Sequence, residues 1–182
     1  AKMLLETNDE SAEIFAKSKT QGIIAGKLCG VQVKGLVDLA PEGEGYLADL
    51  KTTADFSMEG FSKTVAKFGY HMQAGLYLAL WNAMYPDDQR ESFKIIWQSS
   101  EAPYEVVVTE LSPQDIEDGY EYALHLIKLL VQATAANHFP MLGEGKVSML
   151  SRPAWASIRE EQMMMAAPKI QDRIQDREEM IC

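Results

Sequence analysis

The chain has little cysteine, and this scarcity limits the metal centres that it can contain. Its 182 residues include two cysteines, Cys29 and Cys182, which stand far apart in the sequence. Structural zinc sites and iron–sulfur clusters usually require four ligands, so cysteine alone cannot build either of them here. We interpret both residues as free thiols, a state in which cysteine behaves as a small apolar side chain.

Long apolar runs are also missing. No uninterrupted apolar stretch approaches the roughly 18 residues that are needed to span a bilayer. Residues 1–6 lack the apolar core of a signal peptide. The sequence therefore predicts no membrane partner and favours a cytoplasmic protein. Because the chain does not begin with methionine, we expect it to be a fragment of a longer protein.

Positive charge is sparse, with 17 Lys and Arg against 27 Asp and Glu and a formal net charge of −10. Contacts to phosphate need clustered Lys and Arg, so this composition argues against a protein that binds nucleic acid over its whole surface. A nuclease is still allowed, because bound cations reverse the local field of metal-site carboxylates. Any DNA contact must then be local, and the candidates are Lys51, Lys63, Lys67 and Lys34.

The order of predicted elements indicates a mixed α/β (α+β) domain with a central sheet of about five strands. Apolar residues alternate over 31–39, and a glycine-rich turn separates this run from 46–51, which predicts a hairpin. The remaining predicted elements are helices at 6–17, 52–67, 70–85 and 113–137 and strands at 21–28, 93–98 and 104–111. We predict one domain over residues 1–158 and a C-terminal tail or helix over 159–182.

Five polar residues are predicted to converge on one site. Asp49 and Lys51 are two apart in a predicted strand, so they point to the same face of the sheet. Asp38 lies near the end of the preceding strand and can reach the same place. Gln73 and Tyr77 are four apart in a predicted helix and therefore share a helix face.

This set of residue types fits the hydrolysis of a phosphodiester bond. Two hard cations about 4 Å apart can offset charge on the attacking and leaving oxygens. Mg²⁺ prefers oxygen ligands, and we expect Asp38, Asp49 and the backbone carbonyl of Leu50 to supply them. Lys51 would orient the attacking water and offset charge on phosphorus, while Gln73 and Tyr77 would act as neutral groups that fix position.

Each of these signals is weak when it is taken alone. An Asp-x-Lys tripeptide is usually a solvated strand end, and Asp38 could be a turn residue before Pro41. Gln73 and Tyr77 could be a surface pair with the ring partly in the core. Only the order and spacing of the whole set favour the catalytic interpretation.

The sequence resembles the PD-(D/E)XK nuclease superfamily, in particular the C-terminal nuclease domain of exodeoxyribonuclease VIII, the RecE type. The resemblance rests on the segment Asp49-Leu50-Lys51-Thr52-Thr53, on Tyr70-His71-Met72-Gln73 followed by Tyr77, and on Pro153-Ala154-Trp155-Ala156. It implies that Asp38 and Asp49 are metal ligands, that Lys51 is the catalytic lysine, and that Gln73 and Tyr77 form the Gln-x-x-x-Tyr motif.

The resemblance further implies a restriction-endonuclease-like core and an exonuclease that depends on Mg²⁺ or Mn²⁺, with two ions in the site. Proteins of this kind degrade linear double-stranded DNA from the 5′ end in phage-type recombination, in a bacterial or phage-infected cell. They form rings around DNA and work with a single-strand annealing protein. One further metal-site residue of the family lies upstream of the first aspartate. Here Glu6, Asp9, Glu10 or Glu13 could replace it, or it could lie outside this chain.

Three alternatives remain open from the sequence. The domain could be a catalytically silent nuclease fold that serves as a DNA-binding or assembly module. It could be an iron–sulfur nuclease of the same superfamily, although two cysteines cannot hold such a cluster. It could also be an endonuclease of restriction type, against which the Gln-x-x-x-Tyr helix argues.

Overall fold

A computed structural model describes residues 8–139, 141, 147, 149–151, 153, 158 and 162 of the chain. The chain divides into two compact units, Ala1–Phe139 and Pro140–Cys182, and the five-stranded sheet lies in the first. The predicted domain border at residue 158 falls in the second unit, where few residues are described, and it stays a prediction. None of the described helices is long and apolar enough to cross a membrane.

Nine elements are described within residues 8–139, and their order agrees with the sequence-based expectation. The elements are α1 (Asp9–Lys17), β1 (Ser18–Leu28), β2 (Val31–Pro41), β3 (Tyr46–Thr53), α2 (Met58–Phe68), α3 (Tyr70–Met84), β4 (Ser92–Ser99), β5 (Val106–Glu110) and α4 (Pro113–Ala135). Local signals begin the helices as predicted. Asn8 and Ser112 cap α1 and α4 through their side chains, and Pro113 occupies the first turn of α4.

The five strands form one mixed sheet in the order β1-β2-β3-β4-β5. The pairs β1–β2, β2–β3 and β4–β5 are antiparallel, whereas β3 and β4 are parallel. A parallel pair needs a crossover connection, and here helices α2 and α3 supply it. The predicted α+β fold with a central mixed sheet and a β2–β3 hairpin is confirmed.

The two faces of the sheet bury different apolar clusters. Alternate residues of β3 and β4 separate cleanly, because Leu47 and Ile95 belong to the cluster that also contains residues of α2 and α3, while Ala48 and Ile96 belong to the cluster that contains Ile14 of α1. We call these the helix α3 face and the helix α1 face. Helix α1 therefore covers one side of the sheet, and α2 and α3 cover the other.

Close contact between α3 and α4 depends on two glycines. A Cβ atom on Gly75 would overlap the backbone carbonyl of Ile116, and one on Gly119 would overlap the carbonyl of His71. The two helices can therefore approach until their backbones touch, which fixes the position of α3 between α4 and the sheet. The same approach sets how far the N-terminal half of α3 stands above strand β3.

Buried Arg90 ties the end of α3 to the β2–β3 hairpin. Its guanidinium is 3 % exposed and donates to the carbonyls of Pro41 at 2.7 Å and Glu44 in the hairpin and to the Asp88 carboxylate at 2.8 Å. Asn82 of α3 holds the Arg90 backbone from both sides, accepting from its N–H and donating to its carbonyl. These bonds satisfy turn carbonyls that would otherwise be buried without a donor.

Replacing Arg90 is expected to destabilise the domain. In Arg90→Met the hairpin carbonyls lose their donor and Asp88 loses its partner, so we expect the free energy of unfolding to fall by about 3 kcal/mol. Urea unfolding with linear extrapolation measures this loss. Lys17→Met is the matched control, because it removes an equal charge from an exposed ion pair with Glu44 of the same hairpin. A similar stability of the two variants would contradict the structural role of Arg90.

Candidate active site

A buried carboxylate lies at the centre of the candidate site. Asp49 is 3 % exposed, and its position in β3 places it on the helix α3 face. Lys51, two residues further along the strand, forms an ion pair with its Oδ2 atom. From the other side, the Gln73 side-chain amide of α3 donates to Asp49 Oδ1 at 2.8 Å. The structure therefore brings three of the five predicted residues into direct contact.

The surroundings of Asp49 disfavour the charged form of its carboxyl group. Burial raises the pKa of the Asp49 carboxyl above its ordinary value, and the nearby negative charge of Asp38 acts in the same direction. The ion pair with Lys51 and the hydrogen bond from Gln73 lower that pKa, but they do not cancel the effect of burial. The Asp49 Oδ2 atom is buried and accepts no hydrogen bond of good geometry from the described residues, although the Lys51 ammonium lies against it.

Asp38 reaches the site by a change of face in strand β2. Val37 packs on the helix α3 face, whereas Leu39, two residues later, packs on the helix α1 face. Opposite this point in the β1–β2 register stands Gln21, whose φ of 56° is left-handed. The backbone therefore rotates at Asp38, and its Oδ2 atom accepts a hydrogen bond from the Leu50 N–H at 3.1 Å.

The contact between Asp38 and Leu50 also orients the predicted carbonyl ligand. The N–H and carbonyl of one strand residue point toward the same neighbouring strand. Because the Leu50 N–H points to Asp38, the Leu50 carbonyl faces that side as well. Asp38, Leu50 and Asp49 thus stand side by side along the join between β2 and β3.

The Tyr77 side chain lies against strand β2, and its predicted catalytic role stays a prediction. Its ring packs against the backbone of β2, so that a Cβ atom on Gly35 would lie 2.6 Å from the ring carbon Cε1. The Tyr77 hydroxyl accepts from the Leu36 N–H at 3.4 Å. Gln73 and Tyr77 share a helix face as predicted, but Gln73 contacts β3 while Tyr77 contacts β2. The absent side chain of Gly35 makes room for the ring, and no local sequence signal showed this.

Tyr70 is a site residue to which sequence reasoning assigned no role. The Lys51 ammonium lies 4.6 Å from the centroid of the Tyr70 ring, a cation–π distance. Lys51 is thus held between a carboxylate and an aromatic face. Tyr70 was part of the quoted segment before Gln73, but a contact from the first turn of α3 to strand β3 cannot be deduced from spacing along the chain.

Two of the other predicted basic residues, Lys63 and Lys67, lie on α2 outside the cluster, and the third, Lys34, is exposed on β2. Lys63 forms an exposed ion pair with Glu59 one turn earlier in the helix. Lys67 lies over the Phe68 ring, 5.2 Å from its centroid. His71 lines a cavity of about 520 Å³ between α2, the end of β5 and the start of α4, together with Trp97. None of these contacts tests whether the lysines bind DNA, which stays a prediction.

The candidate upstream acids on α1 are on the wrong side of the sheet. Helix α1 packs on the helix α1 face through Ile14, whereas Asp49 is on the opposite face. Glu10 pairs with Lys94 and Glu13 pairs with Lys17. The suggestion that an acid of α1 completes the metal site is therefore wrong for Glu10 and Glu13, and Asp9 stands on the same helix. Glu6 lies outside the described residues, as do Ala154, Trp155 and Ala156 of the quoted C-terminal segment.

The donor set fits a hard divalent cation. Two carboxylates and a backbone carbonyl are oxygen ligands of the kind that Mg²⁺ and Mn²⁺ prefer, and the Asp49 Oδ2 atom is buried with only the Lys51 ammonium against it among the described residues. Among these residues, no three His, Cys, Asp or Glu side chains come together as a metal cluster. The protein would thus contribute few ligands and leave positions for water and substrate.

The protein is of the PD-(D/E)XK nuclease class. This assignment follows from the strand order of the sheet, the crossover helices and the cluster of Asp49, Lys51 and Gln73. The match to a family model agrees with this assignment: residues 4–151 match the PDDEXK-like domain of unknown function, DUF3799. The match covers most of the chain, which therefore belongs to that family. The predicted superfamily is confirmed, whereas its RecE-type branch stays a prediction.

A solved structure shows the same fold at low sequence identity. A protein from Eubacterium rectale described as a "Putative exonuclease" has a TM-score of 0.60 and 12 % identity, with coverage of 86 % of this chain and 63 % of its own. This chain therefore spans less than two thirds of the length of that protein. A second structure, SSO0001, has 15 % identity and a TM-score of 0.40, with coverage of 69 % of this chain and 58 % of its own. No curated protein matches the chain by sequence.

Gly35→Ala is expected to disturb the contact between Tyr77 and β2. The added Cβ would overlap the ring, so we expect a loss of about 1–3 kcal/mol in the free energy of unfolding. Gly22→Ala is the control, because its Cβ would lie 4.0 Å from Trp81, an ordinary contact. In the double variant Gly35→Ala with Tyr77→Leu, the shorter side chain should recover part of the loss. Additive losses in that double-mutant cycle would contradict the proposed overlap.

Lys51→Met is expected to cause a loss of stability that depends on pH. Without the ammonium, the pKa of Asp49 in the folded state rises further, while its unfolded value is unchanged. The folded protein then binds more protons than the unfolded chain over a wider pH range, so stability falls as pH rises through that range. We expect a loss of about 2 kcal/mol at neutral pH that shrinks as the pH is lowered through the raised pKa of Asp49.

Urea unfolding in EDTA between about pH 4 and pH 8 measures this dependence for the wild type and Lys51→Met. Lys63→Met is the control, because its partner Glu59 is exposed and such pairs contribute under about 1 kcal/mol. A loss in Lys51→Met that stays constant across the pH range would show that the ammonium does not neutralise Asp49.

Proposed function

We propose that this chain carries the active site of a metal-dependent exodeoxyribonuclease that hydrolyses phosphodiester bonds of linear double-stranded DNA. The observation that carries the proposal is the buried Asp49 carboxylate, contacted at one oxygen by Lys51 and at the other by Gln73, with Asp38 bonded to the intervening Leu50. A charge buried at such a cost is typical of a functional site. The neighbours of Asp49 are an ammonium and an amide, which are groups that can stabilise charge on a phosphate during hydrolysis.

Asp38, Asp49 and the Leu50 carbonyl would hold one or two Mg²⁺ or Mn²⁺ ions. When bound, such an ion supplies Lewis-acid stabilisation of charge on the phosphate and lowers the pKa of a water ligand. Asp49 would hold the cation through Oδ2, the oxygen that the Lys51 ammonium contacts in this structure.

The Lys51 ammonium would contact a phosphate oxygen or the attacking water, where its charge offsets that of the transition state. The Lys51 ammonium lies over the Tyr70 ring, which restricts the positions that the ammonium can reach. Gln73 keeps Asp49 Oδ1 occupied, so that Oδ2 is the atom available to a cation. The contacts of Gln73 with Asp49 and of Tyr70 with Lys51 exist before the substrate binds, which reduces the reorganisation of these groups during the reaction.

Finer features of the proposal come from the sequence resemblance. These are digestion from the 5′ end, a role in phage-type recombination, assembly into a ring around DNA and cooperation with a single-strand annealing protein. DNA contact by Lys63 and Lys67 rests on the sparse positive charge of the chain and is supported by their position on α2, the helix that precedes Tyr70. A cytoplasmic location in a bacterial or phage-infected cell is proposed with them.

A second candidate function is a catalytically silent module that binds DNA or supports assembly. It is favoured by the lack, among the described residues, of a third acidic side chain at the Asp38–Asp49 site. The net charge of −10 argues against contact with DNA over the whole surface, and it therefore favours an assembly role within this alternative. The intact Asp49–Lys51–Gln73 cluster argues for the enzyme.

Incubation with linear double-stranded DNA and Mg²⁺ or Mn²⁺ distinguishes the two functions. We expect degradation that EDTA stops, and a loss of at least about 100-fold in rate for Asp49→Asn and Lys51→Ala, because each removes charge stabilisation of the transition state. Asp87→Asn and Lys19→Ala are matched controls at exposed positions and should retain the wild-type rate.

Closed circular DNA serves as the second substrate, and we expect it to survive. Nicking of the circle would show an endonuclease and reject the exonuclease proposal. Persistence of linear DNA with a folded protein that still binds it would favour the silent module. Activity that is equal in Asp49→Asn and the wild type would place the reaction elsewhere.

A further inference from the structure

An exposed aromatic ring stands next to the candidate active site without an explained role. Phe68 is the last residue of α2 and is 59 % exposed. Gly69 follows it with a left-handed φ of 69° and separates α2 from α3. Phe61 of the same helix is 5 % exposed and belongs to the core. The helix therefore buries one phenylalanine and presents the other at the turn.

Phe68 is connected to the buried carboxylate by a series of short contacts. Its ring stacks on Tyr70 with centroids 5.8 Å apart and an interplanar angle of 21°, within the range of offset aromatic stacking. The Tyr70 ring in turn lies against the Lys51 ammonium, 4.6 Å from the ring centroid. Lys51 contacts Asp49. An exposed ring surface thus lies two side-chain contacts away from the catalytic lysine of the proposed function.

The charge beside this ring is positive, in a chain whose total charge is strongly negative. Lys67 places its ammonium 5.2 Å from the Phe68 centroid. This ammonium lies over the ring face, so a base that stacks there would take the place of the ammonium, which could then contact the phosphate of the same nucleotide. The four-carbon stem of lysine is long and flexible enough to move from the ring to a neighbouring phosphate.

We propose that Phe68, supported by Tyr70, is a stacking platform for the base of an unpaired nucleotide in the DNA strand held at Asp49 and Lys51. The proposal rests on the proposed function and specifies its substrate class further. Bases inside a duplex are stacked on both faces, and freeing one costs a few kcal/mol. A frayed end or a single-stranded overhang presents a free base face at lower cost, so the platform favours DNA ends over continuous duplex.

Other occupants would use different properties of the same surface. A second copy of this chain or an apolar peptide would cover the ring without needing the ammonium of Lys67 or the proximity of Lys51. The cations therefore favour a nucleotide. A change in oligomeric state on loss of the ring would instead indicate a copy of the chain.

Fluorescence anisotropy in EDTA tests the platform without cleavage. The probes are a duplex with a short single-stranded overhang, labelled at its far end, and the same duplex with abasic sites in the overhang, each in both polarities. Base stacking contributes about 1–3 kcal/mol per base, so we expect the wild type to bind one overhang about tenfold more tightly than its abasic form. Phe68→Leu should lose this difference and Phe68→Trp should keep it.

Met58→Leu is the matched control, because Met58 is a 70 % exposed apolar residue of the same helix and should leave base discrimination unchanged. Thermal unfolding and sedimentation confirm that each variant is folded and report its oligomeric state. Equal discrimination in Phe68→Leu and the wild type would overturn the platform but leave the proposed function intact. Dissociation of an oligomer in Phe68→Leu without a change in discrimination would also overturn it. A wild type that binds the overhang and its abasic form equally would overturn the platform, whereas the proposed function is rejected separately, by a lack of EDTA-sensitive degradation of linear DNA.

Discussion

The burial of the Asp49 carboxylate is the constraint to which the rest of the site is adapted. A carboxylate that is 3 % exposed stays charged only if nearby groups compensate for lost hydration. Lys51 provides a charge from the same strand, and Gln73 provides a hydrogen bond from α3. The fold must therefore hold strand β3 and helix α3 at a fixed separation, and several buried contacts outside the site have this effect.

These supporting contacts act on the two elements that carry the site. Arg90 joins the end of α3 to the β2–β3 hairpin, and Gly35 lets Tyr77 of α3 pack on the backbone of β2. Gly75 and Gly119 allow α4 to press on α3 from the other side. Asp49 itself costs stability, as its raised pKa indicates. Such a cost at a functional centre, offset by the surrounding structure, is a common arrangement in enzymes.

The sequence was most informative where periodicity is short. The two-residue period of a strand placed Asp49 and Lys51 on one face, and the four-residue spacing of a helix placed Gln73 and Tyr77 on another. Both expectations agree with the structure. Extrapolation failed for the acids of α1, because helical periodicity does not specify which face of a distant sheet a helix will cover. The alternation of apolar residues in β2 also did not predict that the backbone changes face at Asp38.

By itself, the sequence determined the order of the elements, the β2–β3 hairpin and the membership of Asp49, Lys51 and Gln73 in one set. Only the tertiary structure decided which of these groups touch. In the structure Tyr77 lies against Gly35, the Lys51 ammonium lies over Tyr70, and Phe68 stacks on that ring. The reason is physical: local spacing fixes the direction of a side chain relative to its own element. The partner that it meets depends on how separate elements pack, which the core and close backbone contacts determine.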